Sequence, residues 1–347
     1  MKGSKDAGVP TVGGGTKGER TPEKPSSLHG KTALVTGATS GLGEATALGL
    51  AERGARVILV GRSSEKCQAT VRRLSEHVPD ASFLPLAADF ASLGQVRRLA
   101  DEVQRMSPRL DVMVNNAGCI RSARMIGEDG FEETWSVNYI APWVLTRLLV
   151  PLMEASAPAR IVNVSSECHR FARPTWQDIL GAHRYSGFRA YAESKLALLM
   201  FTFELARRLS PKRVTANAVH PGLVPTQIAV YEAKTGRWFP RHASAGAYMS
   251  PEEGAQTILC AALSRNFSGV TGKYLTHCKV AVPSEIASDA ELAARLWQMT
   301  EELLQFPEFG RRYDVAVDGR GPLRGSIEPP YHTGHPRRWV EPLPSRR

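Results

Sequence analysis

From residue 30 to about residue 305, short apolar runs alternate with longer stretches whose apolar positions recur at helical spacing. The runs of strand length are 32–36 (TALVT), 56–60 (RVILV), 82–87 (SFLPLA), 110–114 (LDVMV), 160–164 (RIVNV), 213–219 (RVTANAV) and 270–275 (VTGKYL). The helical stretches between them are 42–53, 64–77, 92–106, 130–154, 188–209 and 251–264. Runs such as Val57-Ile58-Leu59-Val60 are apolar at consecutive positions, the pattern of strands buried on both faces. Alternation of such strands with helices predicts an α/β fold, a doubly wound parallel sheet with helices on both sides. Right-handed crossovers build these sheets, and their ligands lie beyond the carboxyl ends of the strands. Chemistry is therefore expected in the residues that follow each strand.

The flanks read differently. Residues 1–29 are rich in Gly, Lys, Pro, Ser and Thr and lack periodicity. They offer too little apolar surface to offset the entropy of ordering, which predicts a disordered extension. Residues 306–347 form a Pro-, Gly- and Arg-rich tail, expected to be irregular, so that 30–305 stands as a single domain. The content of 42% hydrophobic and 22% charged residues excludes a wholly disordered chain.

The formal net charge is +10, of which residues 1–30 contribute +2 and residues 311–347 contribute +4. The excess belongs mostly to the ends, and zinc-finger, RNA-binding and heptad patterns are absent, so no nucleic-acid partner is expected. No apolar run approaches the ~18 residues of a membrane span, and the first thirty residues lack a secretory segment. A cytoplasmic protein without a transmembrane anchor is expected. Cysteines stand at 67, 119, 168, 260 and 278, an odd number with no metal-ligand spacing. That predicts free thiols in a reducing compartment and no metal site.

After the first strand comes Thr36-Gly37-Ala38-Thr39-Ser40-Gly41-Leu42-Gly43, and a helix follows. Glycines allow a tight turn and close backbone approach to a diphosphate, and the helix N-terminus supplies free N–H groups. Its Gly-x-x-x-Gly-x-Gly spacing is one residue wider in the first gap than the common dinucleotide fingerprint. This variant resembles the short-chain dehydrogenase/reductase family, whose fold is Rossmann-like, and the resemblance covers roughly residues 30–305. It implies that Gly37, Ser40, Gly41, Leu42 and Gly43 hold a dinucleotide. The second strand ends at Val60-Gly61-Arg62, where an NAD-preferring site usually places an acid for the ribose 2′-hydroxyl. A guanidinium there can pair a 2′-phosphate, so Arg62 points to NADP(H) ahead of NAD(H). Asp89 matches the family's aspartate near the adenine. Asn116, in Asn115-Asn116-Ala117-Gly118, matches a motif that supports the sheet and the adenosine side.

Tyr191 and Lys195 lie four residues apart on one helical face. A nearby ammonium favours the phenolate, so Lys195 is expected to lower the pKa of Tyr191 and fit it for acid–base work on an alcohol or carbonyl. Ser165-Ser166 ends the fifth strand run. Together with the glycine loop, these residues resemble the family's Ser–Tyr–Lys triad, which implies Ser166 as the serine that binds the reacting oxygen, with Ser165 its competitor. The family's fourth member matches Asn138 and would anchor a water in a proton relay toward Lys195. Pro221, Val224 and Thr226, in His220-Pro221-Gly222-Leu223-Val224-Pro225-Thr226, match the segment that meets the nicotinamide carboxamide. Tyr191 and Lys195 also count among the cofactor contacts. His220 reads as structural, and His169 and His183 as surface or pocket residues.

Ser194-Lys195-Leu196-Ala197, Glu204-Leu205-Ala206-Arg207-Arg208-Leu209, Gly272-Lys273-Tyr274 and Ala293-Ala294-Arg295-Leu296-Trp297 resemble the retinol-dehydrogenase-like branch. The branch implies a small lipophilic alcohol or carbonyl substrate, such as a retinoid or lipid aldehyde. Tyr231, Trp238, Phe239 and Tyr248 would suit an apolar substrate lid. Homo-oligomerisation is left open. The rival readings are a sugar epimerase of the extended branch, whose glycine loop has a shorter first gap, and a non-catalytic binding protein of the same fold. The presence of both Tyr191 and Lys195 argues against the latter.

Overall fold

The computed structural model describes residues 27–173, 185–209, 213–224 and 248–306. Its sheet runs β1 (Thr32–Thr36), β2 (Arg56–Gly61), β3 (Phe83–Ala87), β4 (Val112–Asn115), β5 (Ala159–Val164), β6 (Val214–His220), β7 (Tyr274–Thr276) and β8 (Lys279–Ala281). The order is β3-β2-β1-β4-β5-β6-β7-β8, parallel except for the antiparallel pair β7–β8. Pro85 falls in β3, where the missing N–H is tolerated because the strand is an edge. The strand predicted at 270–275 is only Tyr274–Thr276, because Val270-Thr271-Gly272 turn instead, with Gly272 at φ 66°. The hairpin into β8 was not foreseen. It turns through His277 and Cys278 at φ 48° and 56°, a conformation that Gly or Asn would ordinarily announce.

Successive strand residues serve opposite faces. Leu34, Ile58 and Val60 join one apolar layer, while Ala33, Val35, Val57 and Leu59 join the other. The first layer is closed by α3 (Leu93–Met106), α5 (Ala141–Ala155), α6 (Gly187–Leu209) and α9 (Ala290–Leu303). The second is closed by α1 (Gly41–Ala51), α2 (Ser64–His77) and α7 (Pro251–Leu263). Serine and aspartate side chains cap several helix starts: Ser63 accepts from Lys66 N, Ser92 from Gln95 N, and Asp289 from Leu292 N. Ser250 and Glu253 form a reciprocal capping box at α7.

The long helix expected at 130–154 is broken. A short turn α4 (Glu133–Trp135) leads into a π-turn over Ser136–Ile140 and only then into α5. Pro142 has no N–H to give the carbonyl of Asn138, so the regular ladder cannot run through this point. The wider turn takes its place, with the N–H of Ala141 donating to the carbonyl of Ser136.

A chain of buried amides and hydroxyls crosses the sheet below the strand ends. Asn115 on β4 donates to Thr146 Oγ1 of α5 at 3.0 Å and to Asn163 Oδ1 of β5 at 2.7 Å. Asn163 in turn donates to Thr202 Oγ1 of α6 at 2.8 Å. Asn115 and Asn163 are register partners in the parallel ladder.

Three expectations change here. Leu28 is buried against the second layer and its N–H donates to Arg53 O at 2.8 Å, so packing begins just before residue 30. Cys260 and Cys278 form a disulfide, whereas Cys67, Cys119 and Cys168 are free, so the expectation of free thiols throughout fails for that pair. The β7–β8 turn brings Cys278 back onto α7, a return that spacing alone does not reveal. The run Ala293-Ala294-Arg295-Leu296-Trp297 lies on a further helix, α9, beyond the six stretches of helical spacing. The tail beyond residue 306 and nearly all of the N-terminal extension lie outside the described residues. Among the described residues no helix is long and apolar enough to cross a membrane, and no cluster of side chains fits a metal ion.

Candidate active site

The carboxyl ends of the parallel strands open onto a cavity of about 500 Å³. Of the sequence-predicted residues, Gly37, Ser40, Gly41, Leu42, Gly43, Arg62, Asp89, Asn116, Ser166, Tyr191, Lys195, Pro221 and Val224 all line it. Ser165 lines it too. Thr226, His183, Tyr231, Trp238 and Phe239 lie outside the described residues.

The glycine loop is shaped by contacts that admit no side chain. A Cβ on Gly43 would sit 2.3 Å from Gly37 O and 2.5 Å from Asn116 Nδ2. Gly37 itself has φ 64°. Asn116 holds this turn by donating to Thr36 O at 2.8 Å and Gly37 O at 3.2 Å, so its amide serves the loop before any ligand. Ser40, at the N-cap of α1, makes no side-chain cap bond. The helix N-terminus therefore presents uncommitted N–H groups and a hydroxyl to the cavity, the donor set a diphosphate requires. Arg62 is exposed on the same cavity and has no ion-pair partner among the described residues. These residues fit a bound dinucleotide. Asp89 accepts from Ala91 N at 3.0 Å, which fixes the turn after β3.

Helix α6 carries Tyr191 and Lys195 to the cavity wall. The Lys195 ammonium stands 5.7 Å from the Tyr191 ring centroid and donates to Val164 O at 2.9 Å. Burial lowers the Lys195 pKa to about 8. Burial also raises the pKa of Tyr191, an effect that hydrogen bonding to Ser166 only partly offsets. Desolvation thus works against the acidification expected from Lys195, whose own charge burial also disfavours.

The two serines separate cleanly. Ser165 Oγ donates to the Lys195 carbonyl at 2.9 Å and is committed to holding α6 against β5. Ser166 Oγ accepts from Cys168 N at 3.2 Å and is hydrogen-bonded to Tyr191, which sets its hydroxyl beside the phenol on the cavity wall. Asn138, in the π-turn, is fully buried. Its Oδ1 accepts from Cys119 N at 2.7 Å, and its Nδ2 donates to Cys119 O at 2.9 Å and Ser194 Oγ at 3.0 Å. The amide is therefore engaged at both ends, and Asn138 does not line the cavity.

Sequence reasoning missed Cys119, Cys168, Arg121, Glu133 and Val137, which also line the cavity. The position of Cys119 directly after the β4 motif was the available signal. Burial lifts the Cys119 thiol to about 12 and also raises that of Cys168, so both are un-ionised. His220 lines the cavity at the end of β6 with Nδ1 buried and without a partner among the described residues, and burial lowers its pKa to about 4. His169, expected at a surface or in the pocket, is fully buried and does not line the cavity.

The sequence profile described as short chain dehydrogenase matches residues 31–236. Retinol dehydrogenase 14 of Mus musculus is 37% identical over 81% of this chain and 87% of its own. Polyprenol dehydrogenase of Mus musculus is 38% identical over 77% of this chain and 82% of its own. Among solved structures, the RhlG/NADP active-site complex of Pseudomonas aeruginosa aligns with a TM-score of 0.57 and 30% identity, covering 72% of this chain and 95% of that one. An oxidoreductase acting between alcohol and carbonyl with a nicotinamide cofactor agrees with the site's donors and with these relatives alike. On sequence, sheet order and site together, the chain belongs to the short-chain dehydrogenase/reductase family, in its retinol-dehydrogenase-like branch.

Proposed function

We propose that the protein is an NADP(H)-dependent oxidoreductase for a lipophilic alcohol or carbonyl compound. The observation that carries the cofactor choice is Arg62, exposed on the cavity at the end of β2 where an acid would repel a 2′-phosphate. The NADP held by the Pseudomonas relative, and the retinol and polyprenol named for the mouse relatives, support the same reading.

Gly37 to Gly43 and the α1 N-terminus would hold the diphosphate, Arg62 the 2′-phosphate, and Pro221 and Val224 the nicotinamide end. When bound, the cofactor supplies or accepts a hydride at the substrate carbon. Tyr191 gives its phenolic proton to the carbonyl oxygen during reduction and takes it back during alcohol oxidation. Ser166 donates a hydrogen bond to that oxygen. Lys195 stabilises the phenolate left after transfer, and a water on the Asn138 carbonyl passes the replacement proton toward Lys195. Burial of Tyr191 keeps it protonated at neutral pH, which suits an acid in the reductive direction.

The test measures binding of NADPH and NADH by quenching of protein fluorescence, then turnover of all-trans-retinal, decanal and glyceraldehyde with each. Tighter NADPH binding and turnover of the two apolar aldehydes are expected. Equal or tighter NADH binding overturns the cofactor choice, and a preference for glyceraldehyde overturns the substrate class.

A further inference from the structure

We infer that His169 is a positioning residue for Ser166, holding the serine's main chain from below through a neutral imidazole of fixed tautomer. The inference rests on the proposed role of Ser166. Directly after β5 the chain makes a single 3-10 turn, Glu167–Phe171, which Ser166 caps. His169 lies in that turn with no exposed surface. Its Nδ1 is 2.6 Å from the carbonyl oxygen of Ser166, an acceptor, so Nδ1 carries the proton. Its Nε2 is 3.1 Å from the backbone N of Ser284, a donor, so Nε2 carries none. The two bonds leave one protonation state, the neutral Nδ1–H form. A second proton would set Nε2–H against the Ser284 N–H inside the protein, and burial opposes that proton as well.

The consequence for the serine is direct. His169 joins its carbonyl to Ser284, in the segment between β8 and the short helix α8 (Glu285–Ser288). The imidazole also packs edge-on against the Tyr274 ring at 5.2 Å. Tyr274 donates to Glu167 Oε1 at 2.6 Å, and Arg170 donates to Val282 O at 2.6 Å. Three residues of the turn are therefore tied to the β7–α8 segment, but only His169 reaches Ser166 itself. With its carbonyl fixed, the extended backbone of Ser166, at φ −155° and ψ 151°, holds Oγ toward the cavity. Ring size alone does not explain the site: an apolar ring would fill the space and leave the Ser166 carbonyl one bond short and the Ser284 N–H unpaired.

The experiment compares wild type, His169→Phe, His169→Asn, His169→Gln, Ser166→Ala and the double variant His169→Phe/Ser166→Ala. NADPH and all-trans-retinal serve as probes, with kcat, KM and NADPH affinity read for each. Phe keeps the ring and the Tyr274 contact but removes both bonds. The Asn amide reaches the Nδ1 position and restores the bond to Ser166, whereas the longer Gln reaches Nε2 and restores only the bond to Ser284. His169→Phe should lower kcat about tenfold, with KM and NADPH affinity within about twofold of wild type. His169→Asn should recover most of that loss and His169→Gln little of it. In the Ser166→Ala background the Phe substitution should cost less than about twofold, because the group it positions is gone. A full tenfold loss in both backgrounds, or equal losses in Asn and Gln, overturns the inference. Should His169→Phe not fold, the comparison of Asn with Gln decides alone. Wild-type turnover unaffected by Ser166→Ala, or no wild-type turnover of retinal with either cofactor, instead overturns the proposed function on which this rests.

Discussion

At Tyr191, burial and a neighbouring charge act in opposite directions on one phenol. Sequence spacing places Lys195 beside it, and the structure agrees, but the same burial that holds the pair together weakens the cation and disfavours the phenolate. Tyr191→Phe removes one hydroxyl and little volume. Turnover should fall by roughly 10²–10⁴-fold, the usual scale of general acid–base catalysis, while NADPH affinity and thermal stability stay near wild type. Turnover near wild type in a folded variant would assign the proton to another group. His220 gives a residue-scale prediction about pH. Its folded pKa of about 4 lies below an unfolded value of ~6.5, so the unfolded chain takes up the proton first on acidification. The protein should lose stability as pH falls from about 6.5 toward 4, by about 2 kcal/mol at pH 5 from this group alone. Urea unfolding at pH 7 and pH 5 checks it: His220→Gln should show a smaller difference between the two pH values. An unchanged difference would mean that other groups set the acid sensitivity.

At the scale of elements, the residues of the β1–α1 turn were legible because turn geometry, glycine and helix start are all local. Gly43 also depends on something non-local, the close approach of Asn116 from the far side of β4. Gly43→Ala should cost about 1–3 kcal/mol from overpacking and weaken dinucleotide binding, measurable by thermal unfolding with and without NADPH. A stabilised variant that still binds would show that the turn has slack. Helix α6 was read to within a residue of its ends because apolar spacing and capping are properties of the local sequence. The π-turn was not read, although Pro142 stood in plain view. Proline at that place is also acceptable at a helix start, and only the Asn138 clamp on Cys119 decides between the two. His169 escaped for the same kind of reason: its partner Ser284 is 115 residues away.

For the molecule as a whole, alternation of pattern sufficed for the parallel sheet and for the side on which its ligand site lies. The β8 edge and the Cys260–Cys278 link depend on a return of the chain that leaves no periodic trace. That link closes a loop of sequence separation 18, and a loop of this length is worth about 3 kcal/mol in the chain-entropy account. Cys278→Ser should therefore lower the urea midpoint by a corresponding amount with α7 still helical. Thiol titration of the unfolded, unreduced chain should find three reactive cysteines, and five would show that the bond does not form. The lost stability should appear first at α7, since Gly254 on that helix packs against Val224 and Pro221 of the cavity wall.

The amide chain that joins Thr146, Asn115, Asn163 and Thr202 bears on which parts of this protein can be exchanged. Asn115 and Asn163 face each other across the ladder, so sliding one strand by a single residue would set an amide against Val162 or Val164. Replacing either asparagine alone leaves a buried group without its partner, at a cost of about 1–3 kcal/mol, whereas exchanging all members for shapes that match one another is nearly neutral. Single substitutions therefore have no level path between the two solutions. A chimera that takes β4 from a relative must also take β5, α5 and α6, and with α6 comes the Tyr191–Lys195 pair. The catalytic helix and the middle of the sheet are inherited as one cassette, while the cofactor-side elements β2, α2 and β3, which hold none of these four partners, can be exchanged around it.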